Sequence, residues 1–458
     1  MKQLTTLFIA LTFSALVGIV VSGLAQSKAQ AADVQVANFL ELLRETNTDT
    51  QKALRAIEDN WQPGFAIMLA EIMSLTRNTY VVDNIIELLE EKTKQKHSYD
   101  LQAWRVWLWN QPENDYQDYA EFKSQLYRLI DLKFAAYFNN RRDKTIRLDE
   151  VVWGGVRQDG IPPLRQPKML DANDADYLDD SNIIFGIEVN GDARAYPKRI
   201  MAWHEMFVDK VGGKPVAGVY CTLCGSMILY DTVVDGTNYE IGTSGFLYRS
   251  NKLMYDKRTQ SLWNTLWGTP VIGPLVDRDI KFDRLSIVTT TWKEWKRRHP
   301  QTKVLSLDTG HRRDYGEGVA YKEYFATDNL MFHVPQRDSR LKNKSEVLGL
   351  LFTNAPEKPL AISAEYLNDN PLYQGKLGGT EFVVLTDKSG ANRVYDATDL
   401  RFTSWDQDNT VKDEKGRVWR LTEEGLRTDD GKKRARLPAH RAFWFGWFSA
   451  YSHTALIN

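Results

Sequence analysis

The chain changes texture once, near Val151, and that change limits its fold more than any other feature. From Asp33 to about Arg147, apolar residues recur at helical spacing. Phe39, Leu40 and Leu43 form one group, Phe65, Met68, Leu69, Ile72 and Met73 a second, and Ile85, Ile86, Leu88 and Leu89 a third. Polar breaks fall at residues 46–49, 61–63 and 76–79, and glycine and proline are nearly absent. After Val151, Gly154-Gly155 and residues 159–163 introduce turns, and short strand-like runs follow. Residues 183–189 lead through Asn190-Gly191 to residues 193–196, and Asn-Gly tolerates the positive φ of a type I′ hairpin turn. The pattern predicts an α+β chain, with an all-α N-terminal domain over residues 32–147 and a large, mainly-β domain over residues 148–458. The short helices fit a repeat-like stack and a simple bundle equally well.

Within the β-rich part the sequence echoes itself. Residues 221–231 align without gaps on residues 386–396, so that Gly225, Tyr230 and Asp231 meet Gly390, Tyr395 and Asp396. Gly212-Gly213 is echoed by Gly378-Gly379, and residues 348–352 with 360–363 resemble the first hairpin. The echo predicts an internal duplication with halves at 148–340 and 341–458. Cys221 and Cys224 fall on Thr386 and Ser389, so the second half would make this turn without sulfur.

The N-terminus reads as a secretory signal over residues 1–31. Lys2 is its positive start, residues 7–21 its apolar run, and Ala29-Gln30-Ala31 its cleavage site. This predicts an exported protein of the periplasm or cell envelope, anchored in the membrane only if the signal is retained. The run is short of the about 20 residues that a span needs, so no stable membrane span is expected after cleavage. A formal net charge of −1 gives no electrostatic basis for binding nucleic acid.

Cys221 and Cys224 are the only cysteines in the chain. A lone Cys-x-x-Cys can close a structural disulfide, hold a metal or exchange electrons. A clip around so small a loop is worth only about 2 kcal/mol in the chain-entropy model. Zinc would need four protein ligands, and no second cysteine pair is present. Copper or zinc held by Cys221, Cys224 and His204, with Met254 as a further soft ligand, stays open. A c-type haem is excluded, because Gly225 stands where the attachment histidine belongs. Redox chemistry asks only for an attacking and a resolving thiol, with His204 as acid/base or thiolate-stabilising group. No cofactor follows from the sequence. The partner would be a redox protein or a small-molecule substrate, with a protein partner for the helical domain.

Several motifs resemble the DUF3179 family. They are Trp153-Gly154-Gly155-Val156 with Asp159-Gly160-Ile161-Pro162, Trp203-His204-Glu205, Tyr220-Cys221-Thr222-Leu223-Cys224-Gly225-Ser226, Ser244-Gly245-Phe246-Leu247-Tyr248, Leu253-Met254-Tyr255-Asp256, Ser261-Leu262-Trp263 and Phe443-Trp444-Phe445-Gly446-Trp447. The resemblance covers about residues 151–458 and implies that the cysteines serve redox chemistry, since some relatives are described as selenoproteins. Relatives commonly have proline where this chain has Thr222. By motif position the resemblance gathers Glu205, Tyr220, Ser244, Tyr248, Asn251, Met254, Tyr255 and Trp263 about Cys221, Cys224 and His204. Two further expectations compete with redox chemistry: a copper- or zinc-binding envelope protein, and a non-catalytic interaction module.

Overall fold

The computed structural model describes residues 36–44, 47–112 and 118–458. The expected signal lies outside the described residues. The chain divides into two compact units, with the boundary between Arg141 and Arg142. Among the described residues, no helix is long and apolar enough to cross a membrane.

The first unit is helical, with α1 (Asn47–Asp59), α2 (Phe65–Met73), α3 (Thr79–Thr93), α4 (Leu101–Trp109) and α5 (Tyr119–Arg128). The break expected near residues 46–49 falls a few residues earlier, at residues 42–44. Asn47, Thr48 and Asp49 form the first turn of α1, where a carboxylate favours the positive end of the helix dipole. Helix α2 is apolar nearly all round and buried from Phe65 to Ile72, as a central helix must be. Its one charge, Glu71, is buried against Lys123 Nζ at 2.5 Å and accepts from the Tyr119 hydroxyl at 2.9 Å.

The second unit is mainly β and contains the same run of elements twice. The first copy comprises β1 (Ile183–Val189), β2 (Asp192–Pro197), α6 (Lys198–His204), β3 (Met206–Val211), β4 (Lys214–Cys221) and β5 (Ser226–Asp231). It continues through β6 (Ile241–Tyr248), β7 (Asn251–Asp256), β8 (Leu262–Asn264), β9 (Val288–Thr291), α7 (Trp292–Arg298) and β10 (Lys303–Leu305). After the short helix α8 (Lys322–Phe325), the second copy runs through β11 (Glu346–Leu350), β12 (Leu360–Ser363), α9 (Ala364–Asp369), β13 (Leu372–Leu377), β14 (Thr380–Thr386) and β15 (Asn392–Asp396). It ends with β16 (Thr410–Asp413), β17 (Val418–Leu421), β18 (Ala439–Phe443), α10 (Trp444–Ala450) and β19 (Ala455–Ile457).

The repetition extends to register and side-chain contacts. β9 is antiparallel to β1 and β10 parallel to β2, while β18 is antiparallel to β11 and β19 parallel to β12. Trp295 Nε1 donates to Thr302 Oγ1 at 2.9 Å, and Trp447 Nε1 donates to Thr454 Oγ1 at 2.9 Å. Each of these indoles lies on a glycine, Gly186 or Gly349, where an added Cβ would come within 2.4 or 2.2 Å of the ring. Asp256 accepts from Trp263 Nε1 at 3.2 Å, as Asp413 does from Trp419 Nε1 at 3.1 Å. The Asn190-Gly191 turn has positive φ at both residues, as its sequence predicts.

The copies grip each other through their turns. Phe443 N, at the end of β18, donates to Cys224 O at 2.7 Å. Reciprocally, Thr290 Oγ1 on β9 shares a 3.0 Å hydrogen bond with Ser389 Oγ.

Candidate functional site

β4 is the central strand of a five-stranded sheet, between β3 and β5. Cys221 is its last residue and pairs across the hairpin with Ser226. The turn closes with Cys224 N donating to Cys221 O at 3.1 Å and Gly225 N to Thr222 O at 3.4 Å. Gly225 has φ +59°, and the Phe443 ring lies 2.9 Å from where its Cβ would be, so both the backbone and the packing require glycine there. Gly446 leaves similar room, because a Cβ there would stand 3.3 Å from Cys224 Sγ.

Both cysteines are free thiols, and Cys221 and Cys224 are only 2% and 0% exposed. Cys224 Sγ donates to Ser250 O at 3.4 Å and accepts from Asn251 Nδ2 at 3.3 Å. Ser250 reaches it from a β6–β7 turn in which Arg249 and Ser250 both have positive φ. Burial raises the pKa of either thiol, but the two end on opposite sides of the ordinary value. At Cys221 the burial is overcome by the hydrogen bond from Cys224, the charge of Lys252 and the Lys252 main-chain N–H, so its pKa falls. Cys224 has burial and its neighbour's charge against it, and its pKa rises well above the ordinary value.

Lys252 is buried on β7. Its Nζ donates to Glu205 O at 2.7 Å, to Tyr220 O at 2.8 Å and to Glu205 Oε2 at 3.2 Å. Glu205 follows α6 with φ +55°, a left-handed end that aims its carbonyl at Lys252 and at Tyr220 N. Its other carboxylate oxygen, Oε1, accepts from Thr222 Oγ1 at 2.9 Å and from the Tyr321 hydroxyl at 3.2 Å. The Thr222 hydroxyl therefore ties the turn to this carboxylate. Tyr324, on α8, donates to Leu223 O at 2.8 Å. Burial first, and then the neighbouring negative groups, push both phenols well above their ordinary range.

The other sequence-predicted residues divide. Glu205 and Asn251 touch the turn or its sulfur directly. His204 is buried, with Nδ1 on Pro162 O at 2.9 Å and Nε2 on the Tyr315 hydroxyl at 2.6 Å. Burial pushes its pKa down to about 4, so at neutral pH it is uncharged and both ring nitrogens are engaged away from the sulfurs. Tyr220 packs 4.9 Å from the Phe185 ring. Ser244 Oγ donates to Leu253 O at 2.6 Å and accepts from Phe246 N, which fixes an irregularity in β6. Tyr248 lies 6.0 Å from the Trp267 ring, and the Tyr255 hydroxyl donates to Asp159 Oδ2 at 2.6 Å. Met254 is buried in the core, where the Trp263 ring stacks on Phe282 at 4.3 Å.

Sequence reasoning missed Lys252, Tyr321, Tyr324 and Ser250. Lys252 carried a signal, being a lysine one residue before a buried Leu253-Met254-Tyr255 run. The two tyrosines lie about a hundred residues from the cysteines and carried none. Among the described residues, no group of three or more His, Cys, Asp or Glu side chains is arranged to hold a metal ion.

Fold and site together define a two-unit protein whose β-rich, internally repeated unit encloses a dithiol in a hairpin turn. Residues 158–454 match the family described as "Protein of unknown function (DUF3179)", and the chain belongs to it. No curated protein and no solved structure matches the chain.

Proposed function

We propose that this protein is a thiol redox protein, in which Cys221 and Cys224 pass between dithiol and disulfide. The observation that carries the reading is the opposite displacement of two adjacent thiols, Cys221 toward thiolate and Cys224 toward thiol. Exchange needs one sulfur ionised as attacker and a second to resolve the intermediate. Cys221 is the attacker, with Lys252 beside it as the stabilising cation. Cys224, its S–H on Ser250 O, is the resolving thiol. Oxidation removes two electrons and two protons from the pair and joins the sulfurs. The leader-like residues 1–31 support placement in an exported, oxidising compartment.

The test is equilibration of the purified protein in graded redox buffers, with the dithiol and disulfide forms counted by mass after acid quenching. A reduction potential above about −250 mV supports the reading, and one below about −300 mV marks a structural clip and overturns it. Metal analysis of protein from its native compartment separates the copper or zinc alternative, which requires a stoichiometric ion that Cys221→Ser releases.

A further inference from the structure

The question left by the dithiol is what can reach it. One side of the turn is held by Tyr324 on Leu223 O and by Tyr321 on Glu205, and another by Phe443 N on Cys224 O. A folded partner would have to bring its own sulfur into contact through these groups. Among the buried polar atoms of the site that find no hydrogen-bond partner among the described residues are Asn251 Oδ1, Ser250 Oγ and Ser226 Oγ. Their residues adjoin the two cysteines. The Asn251 amide nitrogen and the Ser250 carbonyl both bond Cys224 Sγ. Ser226 is the cross-strand partner of Cys221, so the two side chains share one face of the sheet.

Buried polar groups are nearly always paired, so three orphans about one dithiol call for a small polar guest. The amide oxygen only accepts, while the two hydroxyls donate or accept. A guest with one O–H and a neighbouring acceptor oxygen satisfies that set. An anionic guest is not favoured, because Lys252 is already occupied by a carboxylate and two carbonyls.

We propose that the oxidant of this dithiol is a small hydroperoxide, bound by Asn251, Ser250 and Ser226 against Cys221. The inference rests on the redox reading above. The Cys221 thiolate attacks one peroxide oxygen, the O–O bond breaks and an S–O bond forms. Sulfur gives up two electrons, and the departing oxygen leaves as hydroxide and takes up a proton to become water, or as the corresponding alcohol. The Cys224 thiol then attacks the Cys221 sulfenic acid, forms the disulfide and releases a second water.

The reduced full-length protein is exposed separately to hydrogen peroxide, glutathione disulfide and diamide, and the Cys221–Cys224 disulfide is counted by mass. The expected rate constant for hydrogen peroxide is at least tenfold that for glutathione disulfide. Asn251→Ala is expected to lower the peroxide-to-diamide rate ratio at least tenfold, and Ser226→Ala gives a second reading should the first variant fail to fold. Glutathione disulfide reacting as fast as peroxide overturns this inference and leaves the dithiol reading standing. So does an unchanged ratio in both variants, which would mean that the orphan groups serve only internal water. Failure of all three oxidants to form the disulfide overturns both readings.

Discussion

In the second repeat, the turn that corresponds to the cysteine turn is held from within. Asp387 accepts from Ser389 N at 2.9 Å, from Ser389 Oγ at 2.6 Å and from Ala391 N at 3.2 Å, and its other oxygen takes Arg393 at 2.7 Å. In the first repeat, Thr222 stands where Asp387 does, and the turn is held from outside by Glu205, Tyr324 and Phe443. The buried cations differ in the same way. Arg393 faces two carboxylates, Asp387 and Glu423, both at 2.7 Å. Lys252 faces one carboxylate and two neutral carbonyls, so part of its field falls on Cys221. The same fold thus spends its buried charge on closing the turn in one copy and on polarising a sulfur in the other. The second copy shows that the fold can make this turn without thiols.

That comparison breaks most sharply at the two cations. Lys252→Met and Arg393→Met each leave a carboxylate buried without its partner, and each is expected to lower the urea-unfolding free energy by roughly 3–5 kcal/mol. Only Lys252→Met is expected also to raise the pH midpoint for alkylation of Cys221. In the unsubstituted protein that midpoint should lie below the ordinary thiol value of about 8.5, with that of Cys224 above it. Equal thiol titrations in the two variants would refute the assignment of Lys252. The repeat symmetry is tested next by Gly186→Val and Gly349→Val, each pressing a β-branched side chain into a tryptophan ring. Both should destabilise by about 3 kcal/mol, the upper part of the usual range for overpacking. A large inequality would show that the copies do not pack alike.

Smaller effects sharpen the contrast between the turns. Asp387→Ala removes a charged acceptor from a buried turn and is expected to lower stability by about 2 kcal/mol. The double variant Cys221→Ser/Cys224→Ser should move it by about 1 kcal/mol or less, while abolishing redox turnover. An effect of similar size, read through pH, concerns Val288 and His440, which hold matching register positions opposite Gly186 and Gly349. Burial, and then Arg284, push the His440 pKa down to about 3. An unfolded histidine titrates near 6.5, so between these values the unfolded chain binds the extra proton and stability falls as pH drops. His440→Val is expected to remove about 1.4 kcal/mol of that loss at pH 5.5, read as a flatter dependence of unfolding free energy on pH.

The local half of this picture was legible in the sequence. Asn190-Gly191, the paired glycine turns and the gapless match of 221–231 with 386–396 pointed to hairpins and to a repeat, and the structure contains both. The strongest repeat signals went unread, because they are pairs rather than runs. Trp295 with Thr302 matches Trp447 with Thr454, and Asp256 with Trp263 matches Asp413 with Trp419 at nearly the same spacing. At the site, Glu205 and Asn251 were found by their motifs. His204 was singled out as an acid/base or thiolate-stabilising group, and the structure places its two ring nitrogens on Pro162 O and the Tyr315 hydroxyl.

By itself, the sequence determined the α-then-β order, the hairpin turns and the placing of two thiols in one of them. Each of these depends on backbone preference and side-chain period over a few neighbouring residues. Only the tertiary structure decided which thiol is the acidic one and what encloses the pair. Those properties belong to Lys252, Tyr321, Tyr324 and Phe443, which reach the turn and its carboxylate from parts of the chain far apart in sequence, and a field acting across a few ångströms leaves no trace in the spacing of residues along a chain.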